Sequence, residues 1–251
     1  MIKIENVETM GWGGAIRGMR NAMNSWDKSD SKFCRLSCIT TDDSLNEEAC
    51  NFMCASNFCR GFLQIGKADM KLCKNLIKAG SSDRKFMRMI HVQADVTAPL
   101  YWWKEYDTYK VGTTANSCST MHTIHKRDLT IDDFSHEHLT STGIDLLEEI
   151  IDLLNDWRDW YSHYDEWNHV ITKEITSKKD VWYQMIQLLP SSFNQMRTID
   201  LDYETLFSIY HQRKNHKLDE WREFCKWIET LPYMKEFLGL DEPNGNEEAK
   251  E

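Results

Sequence analysis

Apolar and polar positions along this chain fall into a few recognisable periods. Over residues 14–23 the run Gly-Ala-Ile-Arg-Gly-Met-Arg-Asn-Ala-Met sets Ile16, Met19 and Met23 at helical spacing, with Arg17 and Arg20 three apart on another, solvated face. Residues 29–66 follow no period. Leu72, Cys73, Leu76 and Ile77 then form the apolar stripe of a helix, with Asp69 as its cap and Gly80 as its left-handed stop. Between Arg88 and Val96, Ile90, Val92, Ala94 and Val96 alternate with His91, Gln93 and Asp95, the period of a half-buried strand. Ala98-Pro99 ends it, and Pro99 opens a helix with Leu100, Trp103 and Tyr106 on one side. The hydroxyl- and amide-rich stretch over 113–120 predicts a binding loop. Ile144, Leu147, Ile151, Leu154 and Trp157 predict a long helix over 144–161, capped by Ser141 or Thr142, and Trp160, Tyr161, Tyr164 and Trp167 continue it as packing aromatics. Past Leu189-Pro190 a final helical region carries Leu206, Ile209, Tyr210 and Arg213, then Leu218, Trp221, Cys225 and Ile228, and ends at Leu231-Pro232.

Composition narrows the picture. A chain of 251 residues with 41% hydrophobic and 12% aromatic content can bury a real core. Four prolines and eleven glycines leave no long linker, which predicts one domain over 1–240 with an insertion over about 30–66 and a disordered acidic tail over 241–251. Forty acidic against thirty basic side chains, a formal net charge of −10, argue against nucleic-acid binding, which relies on neutralising phosphates, but leave room for a basic pocket for one nucleotide. No basic segment and apolar run opens the chain, and nowhere do about eighteen apolar residues run together, so a cytoplasmic protein without a membrane partner is expected.

In that compartment the eight cysteines are expected to be reduced. Cys34 and Cys38, then Cys50 and Cys54, are each spaced four apart; two such pairs on facing helices can supply a tetrahedral zinc site, and ordinary buried or free thiols are the plainer reading. His136-Glu137-His138 is not the His-Glu-x-x-His metalloprotease pattern and reads as a helix start or surface loop. Cys118, inside the polar stretch, is the cysteine to watch as a reactive thiol.

Three segments, in order and spacing, resemble the flavin-dependent thymidylate synthases (ThyX). The first is 72–80 with the strand that follows and Ala98-Pro99, similar to the family's helix, glycine turn and strand leading into its signature helix. In the second, 102–122, the family carries Arg-His-Arg, a Ser, and a loop of Asn, Glu, any, Ser, any, Arg, Tyr. With one residue inserted before Asn116, these fall on Thr108-Tyr109-Lys110, on Thr113, and on Asn116-Ser117-Cys118-Ser119-Thr120-Met121-His122. The third runs from Leu189-Pro190 to Trp221: the family's Asn-any-Arg falls on Asp202-Tyr203-Glu204, its later Arg on Arg213, and His216 and Trp221 match with a shift of one residue. The variant resembles a type expected in phages and their bacterial hosts.

The resemblance implies an α+β, ThyX-like fold, with a central antiparallel or mixed sheet flanked by long helices and the Cys-rich insertion added. It implies FAD as cofactor, folate and NADPH as partners, and dUMP or a related pyrimidine nucleotide as substrate, whose C5 receives a one-carbon unit and a hydride without an enzyme nucleophile. A homotetramer with sites shared between subunits is also implied. Carried over, Arg213, Asn116, Ser117, Ser119 and Lys110 become candidate substrate ligands, and Thr108, Tyr109, Lys110, Thr113 and His216 candidate cofactor ligands. No catalytic residue is named. The chain departs from the family where Thr108, Lys110 and Met121 replace arginines, each guanidinium hydrogen bond to phosphate being worth about 1.5–3 kcal/mol. Arg17, Arg20, Lys110, Arg197, Arg213 and Lys214 are the replacement cations at hand. A ThyX-like enzyme and a ThyX-fold protein that sequesters or senses a nucleotide without turnover both accommodate this set; a partner-binding protein using the tryptophan-rich stretch 157–182 is the third reading.

Overall fold

The computed structural model describes residues 2–34, 62–167 and 175–241. Cys38, Cys50, Cys54 and Cys59 of the insertion lie outside them, as does the predicted tail beyond Asp241, and only the backbone of Cys34 is described. Strands β1 (Lys3–Met10), β4 (His91–Pro99), β6 (Asn194–Asp202) and β5 (Thr113–Ser117) form, in that order, a four-stranded antiparallel sheet. Strand β2 (Lys32–Cys34) pairs antiparallel with β3 (Phe62–Gln64). The direction of β4 against β6 shows in its side chains: Thr198 Oγ1 donates to Asp95 and Gln93 Nε2 to Asp200, so partners move in opposite senses along the two strands. This is the α+β architecture expected from the sequence. Strands β1 and β6 are additions to it, because β1 is mostly exposed and the first half of β6 is polar, leaving no alternation to read.

The chain divides into two compact units, one of Met1–Val7, Gln93–Asp200 and Asn215–Phe224, the other of Glu8–Val92, Leu201–Lys214 and Cys225–Glu251. In the first, helix α3 (Leu100–Tyr106) follows β4, the short α4 (Thr120–Thr123) follows β5, and α5 (Ser141–Ser162) packs on α7 (Lys178–Leu188), with α6 (Tyr164–Trp167) between them in sequence. Thr140, one residue before the expected cap, accepts from Gly143 N and starts α5. Leu147, Ile151 and Leu154 are buried as the period predicts, and join Ile124, Leu129, Phe134 and Met185 in one apolar cluster. Each such side chain contributes about 1.5–3 kcal/mol on burial. A second, aromatic core gathers Trp102, Trp103 and Tyr106 of α3 with Trp221 and Phe224 of α9 (Asp219–Thr230). Trp102 takes the inward position expected for Leu100, which is half-buried.

The second unit is built on helices α1 (Trp12–Met19), α2 (Lys67–Ala79), α8 (Tyr203–Arg213) and α10 (Met234–Leu238). Gly11 opens α1 at φ +91, and a Cβ there would stand 1.9 Å from the Met89 carbonyl oxygen, so only glycine lets the helix approach this closely. Trp12 lies edge-on to Tyr203 and Tyr233, with ring centroids 5.0 and 5.5 Å away. Two sequence expectations change in this unit. Asp69 does not cap α2: Asp30 does so from a distant loop, accepting from Ala68 N at 2.9 Å and Asp69 N at 3.0 Å. Arg20 is not on a solvated face. It is buried and donates Nε to Asp69 Oδ1 at 2.6 Å, while Ser29 and Ser31 donate to Asp69 Oδ2.

Burial alone pushes the Asp69 carboxyl up, and the hydrogen bonds from Ser29, Ser31 and Arg20 outweigh it, leaving the group below its ordinary value. With the folded-state pKa depressed, the carboxylate stabilises the fold above the unfolded value near 3.9, and this contribution is lost as pH falls through the folded value. Asp69→Asn is expected to cost about 3–5 kcal/mol, because it strands the Arg20 charge. In urea unfolding between pH 7 and pH 3 the variant should show a shallower acid decline than the parent chain; an equal decline in both removes Asp69 from the account.

Candidate functional site

Four of the five residues matched to cofactor binding converge at the end of α3. Thr108 Oγ1 donates to the Glu105 carbonyl at 2.7 Å and closes the helix, and Thr113 Oγ1 donates to the Tyr109 carbonyl at 2.6 Å and closes the turn that leads into β5. The Glu105 carboxylate accepts from Trp221 Nε1 at 2.9 Å and lies 3.4 Å from His216 Nε2. Leu218 N donates to His216 Nδ1, which leaves the ring proton on Nε2, facing Glu105. Trp221 stands edge-on to Tyr109 at 6.0 Å and to His216 at 6.3 Å. The fifth residue, Lys110, is exposed beside Tyr109, and its ammonium has no partner among the described residues.

The stretch expected to be a binding loop is instead an edge strand followed by a helical turn, β5 and α4. Asn116 and Ser117 are exposed along it, and Ser119 is half-buried with its carbonyl taken by His122 N and Thr123 Oγ1. Gln195 on β6 fixes this segment: Nε2 donates to Cys118 O at 3.0 Å and Thr120 Oγ1 at 3.1 Å, Oε1 accepts from Arg197 Nε, and its carbonyl accepts from Trp103 Nε1. Glu105 and Gln195 are the positioning residues that sequence reading missed. Neither sits in a motif, and Gln195 lies in the polar half of a strand without a readable period. A cavity of about 460 Å³ opens beside Gln195, lined by Cys118, Thr120, Thr123 and Asn194 among others. Arg127 reaches its wall in a fork with Asp133.

The remaining candidates disperse. Arg213 belongs to the second unit, at the end of α8, where its charge and that of Lys214 partly offset the burial that pushes the Cys225 thiol up to about 12. Lys214 lies 5.7 Å from the Tyr210 ring centroid. Of the other replacement cations, Arg20 is committed to Asp69, and Arg197 to Asp107 at 2.8 Å and to the Trp103 ring at 4.2 Å. Arg17 is exposed and unpaired among the described residues. His136 and His138 make surface contacts with Phe134 O and Asp219. No group of three or more His, Cys, Asp or Glu side chains able to hold a metal occurs among the described residues, and the zinc reading of Cys34, Cys38, Cys50 and Cys54 falls outside them. Trp157 and Trp160 stack at 11°, and Trp157 packs on the apolar cluster of α5 and α7. Among the described residues no helix is long and apolar enough to cross a membrane.

No protein-family model matches the sequence, and no curated protein matches it. The fold does have solved counterparts. Thymidylate synthase X (ThyX) from Helicobacter pylori, solved with FAD and dUMP, is similar over 95% of this chain and 97% of its own, at TM-score 0.58 and 12% identity. A second structure of the H. pylori flavin-dependent enzyme with FAD and dUMP matches over 93% and 97% at TM-score 0.56 and 13% identity. The UMP/dUMP methylase PolB from Streptomyces cacaoi, bound with 5-Br dUMP, matches over 96% and 95% at TM-score 0.55 and 9% identity. At these identities the likeness establishes a ThyX fold.

Cys118 is exposed, whereas Cys73 and Cys225 are buried and their thiols are held up near 12, first of all by burial. Brief iodoacetamide treatment at pH 8 followed by peptide mass mapping should therefore label Cys118 and spare Cys73 and Cys225. Equal labelling of all three would contradict the placement of the β5 to α4 segment at the surface.

Proposed function

We propose that this ThyX-fold chain is a ThyX-like, flavin-dependent enzyme acting at C5 of a pyrimidine nucleotide, dUMP or a close relative. The observation that supports it most is the set that follows α3: Lys110, an exposed cation with no partner among the described residues, adjoins Tyr109 in the chain and precedes the exposed polar groups of Asn116 and Ser117 on β5. One cation, one ring and several hydrogen-bonding groups suit a phosphorylated, flat ligand. In such a reaction C5 would exchange its proton for a methyl group built from a methylene and a hydride, and a flavin, if bound, would supply the hydride.

The described residues of one chain do not by themselves fit FAD. Thr108 and Thr113 spend their hydroxyl protons on backbone carbonyls, His216 faces Glu105, and Lys110 is a single charge for a diphosphate. We propose instead that the site is completed in a homotetramer, where Arg213 of one subunit meets residues 113–122 of another. Light scattering at micromolar concentration should give about four times the chain mass; a monomeric mass would remove the means of completing the site.

A second reading, nucleotide binding without turnover, is favoured by Arg197, whose guanidinium is already held by Asp107, Gln195 and Trp103. One pair of measurements separates the two. Saturation with dUMP at about a hundred times its Kd adds about 2.7 kcal/mol, or roughly 5–10 °C in Tm for a chain of this size. Lys110→Glu should weaken that binding about ten- to a hundredfold. Release of tritium from [5-3H]dUMP in the presence of FAD, NADPH and methylene-folate supports the enzyme; a Tm rise without release supports the binder, and neither signal overturns both.

A further inference from the structure

A second cavity, of about 350 Å³, lies in the other unit and plays no part in the reading above; it is lined by Gly13, Ile16, Arg17, Arg20, Trp26, Ser29 and Ser31. Its chemistry is unlike that of an ordinary surface dent. Gly13, Arg17 and Arg20 share one face of α1 at spacings of four and three. Gly13 is in the first turn of a helix whose cap, Gly11, offers no side-chain acceptor, and no acidic residue stands in that turn, so the amide end faces no carboxylate of its own. Arg20 is nine-tenths buried, with a side-chain exposure of 5%, and lines the cavity. Its Nε is used by Asp69 and its Nη1 by the Ser25 carbonyl and hydroxyl, while Nη2 has no partner among the described residues. Arg17 supplies a second guanidinium, exposed and unpaired among the described residues.

The acids nearby do not neutralise this pair. Asp69 spends Oδ1 on Arg20 Nε and Oδ2 on Ser29 and Ser31, and Asp30 is occupied capping α2. Asp27 is exposed on the turn that carries Trp26. Trp26 is 51% exposed, an unusual position for an indole, and its Nε1 donates to Asn21 Oδ1 at 2.9 Å, which holds the ring in place. A held, solvent-facing ring lining the same cavity as two guanidinium groups with spare donors matches an anion attached to a planar heterocycle: the Arg17 fork and the remaining Nη2 of Arg20 take the phosphate and the indole stacks on the ring.

We infer that this cavity binds a nucleoside monophosphate at a site separate from the one at the end of α3, with Arg17 and Arg20 on the phosphate and Trp26 on the base. The inference does not rest on the proposed enzymatic activity. It is tested by calorimetric titration of the full chain carrying Lys110→Glu, which disables the other candidate site, with AMP, adenosine and inorganic phosphate as separate probes. AMP should bind, Arg17→Glu added to this background should weaken it at least about tenfold, and Trp26→Ala should weaken AMP while leaving inorganic phosphate unchanged. Both positions are exposed, so an unaltered Tm certifies the fold of each variant. AMP affinity indifferent to Arg17→Glu, or no AMP binding at about 1 mM, overturns the inference. Inorganic phosphate binding as tightly as AMP, with no effect of Trp26→Ala, reduces the site to a plain anion site and overturns the assignment of the base.

Discussion

The buried aromatic block of α3 is the constraint on which the first unit's site depends. Trp102, Trp103 and Tyr106 pack with Trp221 and Phe224, and of the three buried indole N–H groups two are answered, while Trp102 Nε1 has no partner among the described residues. Glu105 answers Trp221, and the carbonyl of Gln195 answers Trp103. Each partner is thereby fixed, and each then organises part of the site: Glu105 faces His216 beside Trp221, and Gln195 fastens Cys118 and Thr120. Packing decides where the polar groups stand, and the polar groups decide where a ligand can be met.

The second unit solves a similar problem with charge. Asp69 is fully buried, which is unfavourable for a carboxylate unless its lone pairs are filled. Arg20, Ser29 and Ser31 fill them, and in doing so they tie α1, the loop before β2 and α2 to one point. The consequence for chemistry is that Arg20 is oriented through Nε by Asp69 and through Nη1 by Ser25, and lines the same cavity as Trp26.

How much of this the sequence disclosed follows from how local each interaction is. Strand β4, the stripe of α2 and the inward face of α5 were legible because burial imposes a period on neighbouring residues. Strand β1 was not, since most of it faces solvent, and β6 was missed because Gln195 and Arg197 occupy its polar half. Asp69 stood at a plausible capping position, but the cap comes from Asp30, 38 and 39 residues away along the chain, and no spacing rule reports that. The ThyX resemblance reached the fold through three loose segments, and it brought Thr108, Tyr109, Lys110, Thr113 and His216 to one end of α3. Arg213 falls in the other unit, and a motif match records only order along the chain.

The central claim is that the end of α3 and the β5 to α4 segment meet a pyrimidine nucleotide. Ultraviolet cross-linking with 5-bromo-dUMP, followed by peptide mapping, tests it most directly, since a halogenated pyrimidine attaches to the side chains it touches. The account predicts adducts within residues 109–122, competed away by unlabelled dUMP. Adducts confined to other peptides, or none that dUMP suppresses, would contradict it.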